Sequence, residues 1–463
     1  MPFGETIAAP ATPPGESALA VVRASGPLVP KLAAEILGRA DGEAPPPRQA
    51  MLGGYRALGG EVLDQIVLTY FAAPASYTGE DLLEISCHGN ALLVRRILDD
   101  LLARGCRPAA PGEFTRTAYL NGKLDLAQAE AVADMIHARS EGALRAARRQ
   151  LDGELSRRVA DFSAILLQVQ AELEAFIDFP EEDLPAEDSD GARLRLTLLA
   201  GELEGLLATS RYGDLLREGA SAVIIGPPNA GKSSLLNALL GRPRAIVSPE
   251  PGTTRDFIEE RFLVGPYSIQ IIDTAGLRAD ATNAIEQEGI ARTHEKMATA
   301  DVLLVVIDST ISPPTLDSKW LQSASAATTL VIENKTDLSD SIDRQGFLQN
   351  CTHIRLSLKT EKGLDQLCFE LVRILEQRYA VRSEGLVLTS ARHTDALRRA
   401  RTGVLAAMEK LDGPQSTELL ASDLRQALEA LGEIPGVHSV DGSISHAYES
   451  MLDQLFAKFC IGK

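Results

Sequence analysis

The segment "SAVIIGPPNAGKSSLLNALLG", at 221–241, restricts the possible fold of this chain more than any other. It begins with apolar residues suited to a buried strand and ends with the apolar spacing of a helix. Between the two lies "GPPNAGKSS", which has the pattern of a phosphate-binding loop. Its glycines allow backbone N–H groups to converge on phosphates, Lys232 adds a positive charge, and the Ser233 hydroxyl can bind Mg²⁺. The segment therefore predicts a nucleotide-binding sheet covered by helices.

The residues from 221 to about 380 continue this alternation of strands and helices. "YSIQIIDTAG", "DVLLVVID" and "TTLVIENKTD" are predicted strands, and "GLDQLCFELVRILEQRYA" is a predicted helix. Apolar strands that alternate with helices are typical of a mostly parallel, doubly wound sheet. Polar motifs follow the predicted strands, so we expect the binding residues at the carboxyl ends of the strands.

Motifs at these strand ends identify the nucleotide. "DTAG" would place Asp273 on the magnesium side and the Gly276 N–H near the terminal phosphate. In "NKTD" (334–337), the Asp337 carboxylate can accept hydrogen bonds from the N1 and N2 hydrogens of guanine, whereas it would oppose an acceptor in adenine. "SLK" (357–359) offers a backbone N–H to the guanine oxygen. These motifs, in this order, predict GTP binding.

The first switch and the hydrolytic group are less regular. "PGTTRD" (251–256) lies where the first switch is expected, and Thr254 would close over Mg²⁺ when the third phosphate is present. In Ras-like GTPases a glutamine after the "DTAG" glycine orients the attacking water, but here that residue is Leu277. An apolar side chain cannot orient water, so the motifs alone do not identify the group that supports hydrolysis.

The sequence on both sides of this segment predicts further domains. Residues 1–120 mix β-rich runs such as "SALAVVRAS", "DQIVLTYF" and "DLLEISCHG" with turns and one helix, "ALLVRRILDDLLARG". Residues 121–214 and 383–463 have mainly helical spacing, and a length of 463 residues agrees with about three domains. We therefore predict a multidomain α/β and α protein: a mixed α/β domain, a helical domain in two parts, and an inserted P-loop domain at 215–382.

Composition excludes several classes of protein. The formal net charge of −18 argues against a protein that coats nucleic acid through bulk positive charge. The longest apolar runs have the length of strands, far below the ~18–20 residues of a membrane span, and the N-terminus lacks the pattern of a secretory signal. These short apolar runs predict no membrane partner, and five cysteines without a CxxC pair predict a reduced, cytoplasmic chain without a zinc site.

Motifs throughout the chain resemble those of the MnmE (TrmE) family of tRNA modification GTPases. Within the P-loop segment these are "GPPNAGKSS", "PGTTRD", "DTAGLR…IEQEGI" and "NKTD". Outside it, "ATPPGESALAVVRASG", "SYTGEDLLEISCHG", "PGEFTRTAYLNGKLDLAQAEAVADMI" and the terminal "FCIGK" are similar to the family. The resemblance covers essentially the whole chain, and other GTPases share the nucleotide motifs but not these flanking segments.

The resemblance implies an architecture and an activity. The fold would be an N-terminal folate-binding α/β domain, a helical bundle domain, and a Ras-like P-loop GTPase domain inserted in it. A homodimer would form through the N-terminal domains and a heterotetramer with the FAD-containing MnmG protein. Together they would add a carboxymethylaminomethyl or aminomethyl group to C5 of the wobble uridine of certain tRNAs. A tetrahydrofolate derivative, 5-formyl or methylene, would be bound, and methylene-tetrahydrofolate would supply the one-carbon unit.

The resemblance also implies an answer to the missing glutamine. In the family, K⁺ lies beside the phosphates and neutralises charge there, where an arginine finger would otherwise act. Glu286 matches the catalytic glutamate that orients the water through a second water after two G domains pair, with Glu288 as the alternative. The implied K⁺ ligands are Asn229, Ser248, Glu250 and Thr253, and the predicted Mg²⁺ ligands are Ser233 and Thr254. The GTP-binding residues predicted from motifs and resemblance are Asn229, Ala230, Gly231, Lys232, Ser233, Ser234, Ser248, Thr253, Thr254, Asp273, Thr274, Ala275, Gly276, Asn334, Lys335, Asp337, Ser357, Leu358 and Lys359.

Folate binding is implied by the resemblance at four positions, Arg23, Glu80, Lys123 and Lys463. Cations suit the glutamate tail of a folate, and a carboxylate suits the N–H edge of the pterin. From the sequence alone, each of these residues has the character of an ordinary surface residue. Cys460 lies next to this site in the family, where it is either a reactive thiol or a packing residue.

Two other functions remain open from the sequence. One is a GTP-switched RNA-binding or ribosome-assembly factor without modification chemistry. The other is a folate-dependent one-carbon transferase in which the GTPase domain is an accessory. The folate-like N-terminus and "FCIGK" favour the modification enzyme over the first of these.

Overall fold

The protein is described by a computed structural model that covers residues 4–39, 42–178, 188–241, 260–272, 300–312, 328–338, 347–379, 385–411, 417–436 and 446–463. The chain forms two compact units, each assembled from separate stretches of sequence. Unit 1 consists of Met1–Ala133, Leu151–Ser163 and Leu431–Lys463, and unit 2 consists of Asp134–Gln150 and Ala164–Ala430.

Unit 1 is built on a six-stranded sheet with the strand order β3-β4-β5-β2-β1-β6. Neighbouring strands are antiparallel except for β1 and β6, which are parallel. The strands are β1 (Ile7–Pro10), β2 (Ser17–Ser25), β3 (Ala50–Arg56), β4 (Val62–Phe71), β5 (Leu82–Gly89) and β6 (Arg107–Pro108).

One face of this sheet forms a hydrophobic core with two helices, α1 (Val29–Leu37) and α2 (Ala91–Ala103). Alternate residues of β4, such as Ile66 and Leu68, are fully buried, as the two-residue period of a strand requires. Each such side chain contributes about 1.5–3 kcal/mol on burial. The other face carries Arg23 and Ser25 of β2, and two of the predicted folate residues make contacts there.

The rest of unit 1 is helical. Helix α3 (Glu113–Leu120) and the start of α4 (Leu126–His137) are followed at the end of the chain by α13 (His446–Phe456). Leu126 and Ala129 of α4 pack with Leu452, Phe456 and Phe459 in one hydrophobic cluster. This cluster brings the C-terminal residues against the N-terminal part of the chain.

Unit 2 contains the second six-stranded sheet, with the strand order β12-β11-β10-β7-β9-β8. All its neighbouring pairs are parallel except β8 and β9, so the predicted mostly parallel sheet is confirmed. Hydrophobic clusters cover both faces. The strands are β7 (Ala220–Ile225), β8 (Glu260–Val264), β9 (Tyr267–Ile272), β10 (Val302–Asp308), β11 (Thr329–Asn334) and β12 (Thr352–Arg355).

Helices precede, follow and interrupt this sheet. Helix α7 (Asp188–Leu207) packs against α11 (Ala391–Lys410), so helical segments from before and after the sheet are in contact. In the part of the chain that the structure describes, no helix combines the length and apolar character needed to cross a membrane. The remaining helices are α5 (Glu141–Leu151), α6 (Glu154–Asp178), α7 (Asp188–Leu207), α8 (Ser210–Glu218), α9 (Lys232–Leu240), α10 (Leu364–Arg378), α11 (Ala391–Lys410) and α12 (Thr417–Gly432).

Candidate functional site

The phosphate-binding loop joins β7 to α9, as its sequence predicted. Asn229 adopts a φ of 62° and Gly231 a φ of 106°, so two left-handed residues lie in the loop that leads into α9. The Nζ atom of Lys232 donates hydrogen bonds to the carbonyl oxygens of Gly226 and Pro227, both at 2.9 Å. The lysine charge is therefore held inside the loop, where a phosphate would be bound.

Gly231 cannot be replaced without rearranging its surroundings. A Cβ atom at this position would lie 2.2 Å from Nδ2 of Asn334, far closer than van der Waals contact. The positive φ adds strain for any residue with a side chain. Because Gly231 has no side chain, the "NKTD" segment can approach the phosphate-binding loop closely.

Asn334 is the residue that joins three loops at this edge of the sheet. It is 3% exposed, and its Nδ2 donates to the carbonyl oxygen of Ala230 at 2.9 Å. Its Oδ1 accepts from the backbone N–H of Leu358 at 3.2 Å. The phosphate-binding loop, the "NKTD" segment and the "SLK" segment are therefore connected through one amide side chain.

Asp337 faces solvent at the end of the same segment. Its Oδ1 accepts a hydrogen bond from the hydroxyl of buried Ser357 at 2.7 Å. This hydrogen bond lowers the pKa of Asp337 below its ordinary value, so the carboxylate is ionised at neutral pH. An exposed carboxylate in a fixed orientation is the group needed to accept the two N–H donors of guanine.

Four further predicted positions lie among the described residues, together with a residue that the sequence did not identify. Lys335 has a φ of 67°, and its Nζ donates to Oδ2 of Asp308 at 2.6 Å. Asp308 ends β10, directly beside Asn334 in the parallel register. Ser233 and Ser234 lie exposed in the first turn of α9, and Lys359 is also exposed.

The other predicted nucleotide, metal and catalytic residues lie outside the described residues. Among the residues that the structure does describe, no group of three or more His, Cys, Asp and Glu side chains could hold a metal ion. Predictions outside the described ranges concern Ser248, Glu250, Thr253, Thr254, Asp273, Thr274, Ala275, Gly276, Leu277, Glu286 and Glu288.

The predicted folate residues lie in unit 1. Arg23 of β2 forms an ion pair with Glu84 of β5, and its Nε and Nη2 atoms lie 2.8 and 2.7 Å from Oε1 of Glu84. Its Nη1 also donates to the carbonyl oxygen of Gly462 at 3.5 Å. Arg23 therefore links the centre of the sheet to the C-terminal segment, and Glu84, which the sequence did not identify, orients it.

The C-terminal segment is held against β1. Gly462 has a φ of 91°, and a Cβ atom there would lie 2.1 Å from the carbonyl oxygen of Pro10. Burial lowers the pKa of the neighbouring Lys463, the Arg23 charge lowers it further, and Glu84 and Cys460 act in the opposite direction. Cys460 is exposed. Two cations and one carboxylate are thus grouped at this point, an arrangement that suits an anionic ligand.

Glu80 and Lys123 make separate contacts in the same unit. Oε2 of Glu80 accepts from the hydroxyl of Ser25 at 3.0 Å, two residues along β2 from Arg23. Nζ of Lys123 donates to the carbonyl oxygen of Pro74 at 3.1 Å. Lys123 also lines a cavity of about 500 Å³ bordered by Tyr119 and Tyr448. Arg23 therefore contacts Gly462, next to Lys463, and Glu80 is hydrogen-bonded to Ser25 on the strand that carries Arg23.

Two family models match the chain. The first, described as "GTP-binding protein TrmE N-terminus", matches residues 6–123. The second, described as "MnmE helical domain", matches residues 126–460. Together they extend over nearly the whole length, and the second alone spans more than half of the chain.

Curated relatives match from end to end. A protein of Opitutus terrae named "tRNA modification GTPase MnmE" is 47% identical over 468 residues. The match covers 100% of this chain and 100% of that protein. A protein of Akkermansia muciniphila with the same name is 42% identical over 459 residues, covering 99% of each chain. One from Chlorobium phaeovibrioides, also so named, is 41% identical over 480 residues, covering 99% of this chain and 98% of its own.

Proposed function

The chain belongs to the MnmE family of tRNA modification GTPases and is therefore a GTP-hydrolysing enzyme; we propose that it uses this hydrolysis to modify C5 of the wobble uridine in certain tRNAs. The observation that carries the proposal is the connection of three loops by Asn334. Because one side chain fixes the phosphate-binding loop relative to both predicted guanine loops, phosphate and base can be bound together.

The roles of the nucleotide residues follow from their chemistry. Lys232 and the loop N–H groups would bind the phosphates, and the Ser233 hydroxyl would bind Mg²⁺ with Thr254. Asp337 would select guanine, since its carboxylate accepts from N1 and N2. Mg²⁺, when bound, neutralises charge on the phosphate oxygens. The lowered pKa of Asp337 supports its part in this proposal.

Hydrolysis is proposed to depend on K⁺ and Glu286. Asn229, whose side chain is exposed on the loop in a left-handed conformation, would be the side-chain ligand of K⁺. The other proposed ligands are Ser248, Glu250 and Thr253. Glu286 would orient the attacking water, because Leu277 has no polar group with which to do so.

This part of the proposal is tested by the turnover of GTP in K⁺ and in Na⁺. Replacing K⁺ with Na⁺ should slow hydrolysis, and Asn229→Ala should abolish the difference between the two cations. Glu286→Ala should reduce turnover by roughly 10²–10³ without weakening nucleotide binding, since its contact is made only towards the transition state. Glu288→Ala is the matched control and should stay close to wild type. Full activity of Glu286→Ala in K⁺ would exclude this mechanism.

The folate site is proposed at Arg23, Glu80, Lys123 and Lys463. The ion pair of Arg23 with Glu84 and the proximity of Lys463 support it, because the cluster offers fixed positive charge to the glutamate tail. A methylene- or 5-formyl-tetrahydrofolate would be the ligand, and Cys460 is a neighbouring thiol.

The proposed assembly is a homodimer formed by the N-terminal domain, and a heterotetramer with the FAD-containing MnmG protein that acts on tRNA. The proposed domains are 1–120, a helical domain of 121–214 and 383–463, and the G domain at 215–382. The deciding experiment is analysis of wobble uridines in cells that lack the chain, with and without an Asp337→Asn copy. An unchanged wobble base would favour a GTP-switched RNA-binding factor, and full rescue by the variant would favour a transferase with an accessory GTPase domain.

A further inference from the structure

Asp308 occupies a central position at the nucleotide edge of the unit 2 sheet. Its side chain is 11% exposed, and both carboxylate oxygens are used. Oδ1 accepts from the backbone N–H of Thr310 at 2.9 Å and from its hydroxyl at 2.7 Å. Oδ2 accepts from Nζ of Lys335 at 2.6 Å. The carboxylate is therefore fixed on one side by its own turn and on the other by the "NKTD" lysine.

Lys335 has a backbone conformation that requires support. Its φ of 67° is left-handed and strained for a residue with a side chain. It lies between Asn334, which joins the three loops, and the segment that ends at Asp337. A hydrogen bond from Leu338 N–H to the Lys335 carbonyl at 3.0 Å closes the turn. The Asp308 ion pair holds the side chain of the one strained residue in this turn.

We propose that Asp308 is a positioning residue for guanine recognition, which acts through Lys335 to keep the "NKTD" turn in its binding conformation. This inference rests on the proposed function, since it assumes that the turn binds guanine. Partial burial acts to raise the pKa of Asp308, but the bonds from Lys335 and Thr310 outweigh it and lower the pKa, so the group is ionised at neutral pH. Lys335 thereby keeps a charged partner when no nucleotide is bound.

The alternative is that Asp308 only fastens β10 to β11, and the chain offers a matched comparison at the other end of the same strand. Asp301 precedes β10, and its Oδ2 accepts from the N–H and hydroxyl of Ser221 at 2.8 and 2.9 Å. Its Oδ1 accepts from Arg378 at 3.1 Å and from Tyr379 at 2.5 Å. Asp301 is thus an equally well-bonded carboxylate at the opposite edge of the sheet.

The experiment compares Asp308→Asn with Asp301→Asn in the full-length protein. Asparagine keeps the shape and can still accept from Thr310, but its amide cannot replace the charged partner of Lys335. The readouts are the affinity and dissociation rate of fluorescent GTP and GDP, and the melting temperature without nucleotide. For Asp308→Asn we expect an affinity about tenfold lower, mainly through faster dissociation, since one charged hydrogen bond is lost. Asp301→Asn should lower the melting temperature and leave the affinity within about twofold.

Two further variants make the test independent of folding. Thr310→Val removes only the hydroxyl that orients Asp308. It should lower the affinity for GTP by a few-fold, as Asp308→Asn does to a larger extent. Asp308→Asn combined with Lys335→Met should bind no more weakly than Lys335→Met alone, because Asp308 acts through that lysine. Additive losses in the double variant, or equal losses of affinity in the Asp308 and Asp301 variants, would overturn the inference.

The outcomes also separate this inference from the proposed function. If the wild-type protein does not prefer GTP to ATP, the proposed function fails. If the wild-type protein prefers GTP and both Asp308→Asn and Thr310→Val bind it as the wild type does, the positioning role of Asp308 alone is wrong.

Discussion

Asn334 shows how much of a nucleotide site can depend on one amide. Its two polar atoms bind backbone groups 104 and 24 positions away in sequence, and it is almost fully buried. Removing a buried amide that is hydrogen-bonded to two loops destabilises the folded protein, because each backbone group that it contacted loses a hydrogen bond that water cannot easily replace.

Asn334→Ala is therefore expected to reduce both stability and GTP binding. We expect a loss of about 2–6 kcal/mol in the free energy of unfolding, because the Ala230 carbonyl and the Leu358 N–H each lose a partner at about 1–3 kcal/mol. Urea unfolding and GTP titration measure the two effects. Asn237→Ala, an exposed change on the neighbouring α9, is the control and should alter stability by less than about 0.5 kcal/mol. Wild-type affinity in Asn334→Ala would contradict the role given to this side chain.

The hydrogen bond from Ser357 should set the pH below which GTP affinity declines. This hydrogen bond lowers the pKa of Asp337, and in the proposed guanine site the ionised form is the one that accepts from the base. The contribution of a carboxylate with a lowered pKa is present above that pKa and is lost as the pH falls through it. Ser357→Ala should raise the pKa of Asp337 towards its ordinary value, so GTP affinity should decline at a higher pH than in the wild type.

The pH dependence is measured by GTP titrations between pH 7 and about pH 4, the range in which ordinary carboxyl groups titrate. Asp337→Asn has no ionisable group at the position and serves as the control. Its affinity should not decline at low pH through this group, and it should bind xanthosine triphosphate in preference to GTP. If the GTP affinity of Ser357→Ala declined at the same pH as that of the wild type, the hydrogen bond would not govern binding.

The residues that sequence inspection did not identify share one property. Asp308 contacts a partner 27 positions away, and Glu84 contacts Arg23 across 61 positions. Both residues lie inside the segments "DVLLVVID" and "SYTGEDLLEISCHG", but a single acidic residue does not stand out in a chain with 64 Asp and Glu residues. Lys232 and Asp337 were predictable because strand, loop and helix follow each other directly in their motifs. Partners brought together by strand pairing have no comparable local pattern.

At the scale of elements, the strands with continuous or alternating apolar residues were predictable and the others were not. The prediction "SALAVVRAS" coincides with β2, and "SAVIIG" differs from β7 by a single residue at each end. The sequence did not predict β3, "AMLGGYR", because Gly53 and Gly54 lower strand propensity. It also missed β8, the short antiparallel strand "ERFLV", because two charged residues conceal its apolar character.

The position of the C-terminal segment depends on Gly462. Gly462→Ala should release residues 457–463 from β1, because a Cβ atom would meet the Pro10 carbonyl at 2.1 Å. Hydrogen exchange of these residues and the rate of thiol labelling at Cys460 should both increase. Gly60→Ala is the matched control, since Gly60 also has a positive φ, of 82°, but nothing lies within 4 Å of its Cβ position. That variant should show only the strain of about 1–2 kcal/mol. Unchanged exchange in Gly462→Ala would contradict the docking role of this glycine.

At the scale of the whole molecule, the two proposed ligands belong to different compact units. The proposed folate residues are in unit 1, and those proposed GTP-binding residues that the structure describes are in unit 2. This division predicts that ligand affinities can be changed separately, whatever the coupling of the two sites during turnover.

Arg23→Ala with Lys463 deleted should weaken tetrahydrofolate binding by about 10²-fold, since two charged contacts are lost. The affinity of the full-length protein for GTP should be unchanged. Asp337→Asn provides the reciprocal control, with weakened GTP binding and wild-type folate affinity. Calorimetric titration of both ligands against both variants measures the four values. Unchanged folate affinity in the first variant would remove Arg23 and Lys463 from the site.

The contact between Arg23 and Gly462 has a consequence for synthesis on the ribosome. The two residues are 439 positions apart in sequence, and unit 1 includes residues 431–463. At roughly 5–20 residues per second, translation needs about 20–90 s to supply the second partner after the first. The contact of Arg23 with the C-terminal segment can therefore form only after the whole of the second sheet has been made. Until residue 462 has been made, Arg23 can pair with Glu84 of the neighbouring strand but not with Gly462, so this part of unit 1 is completed last.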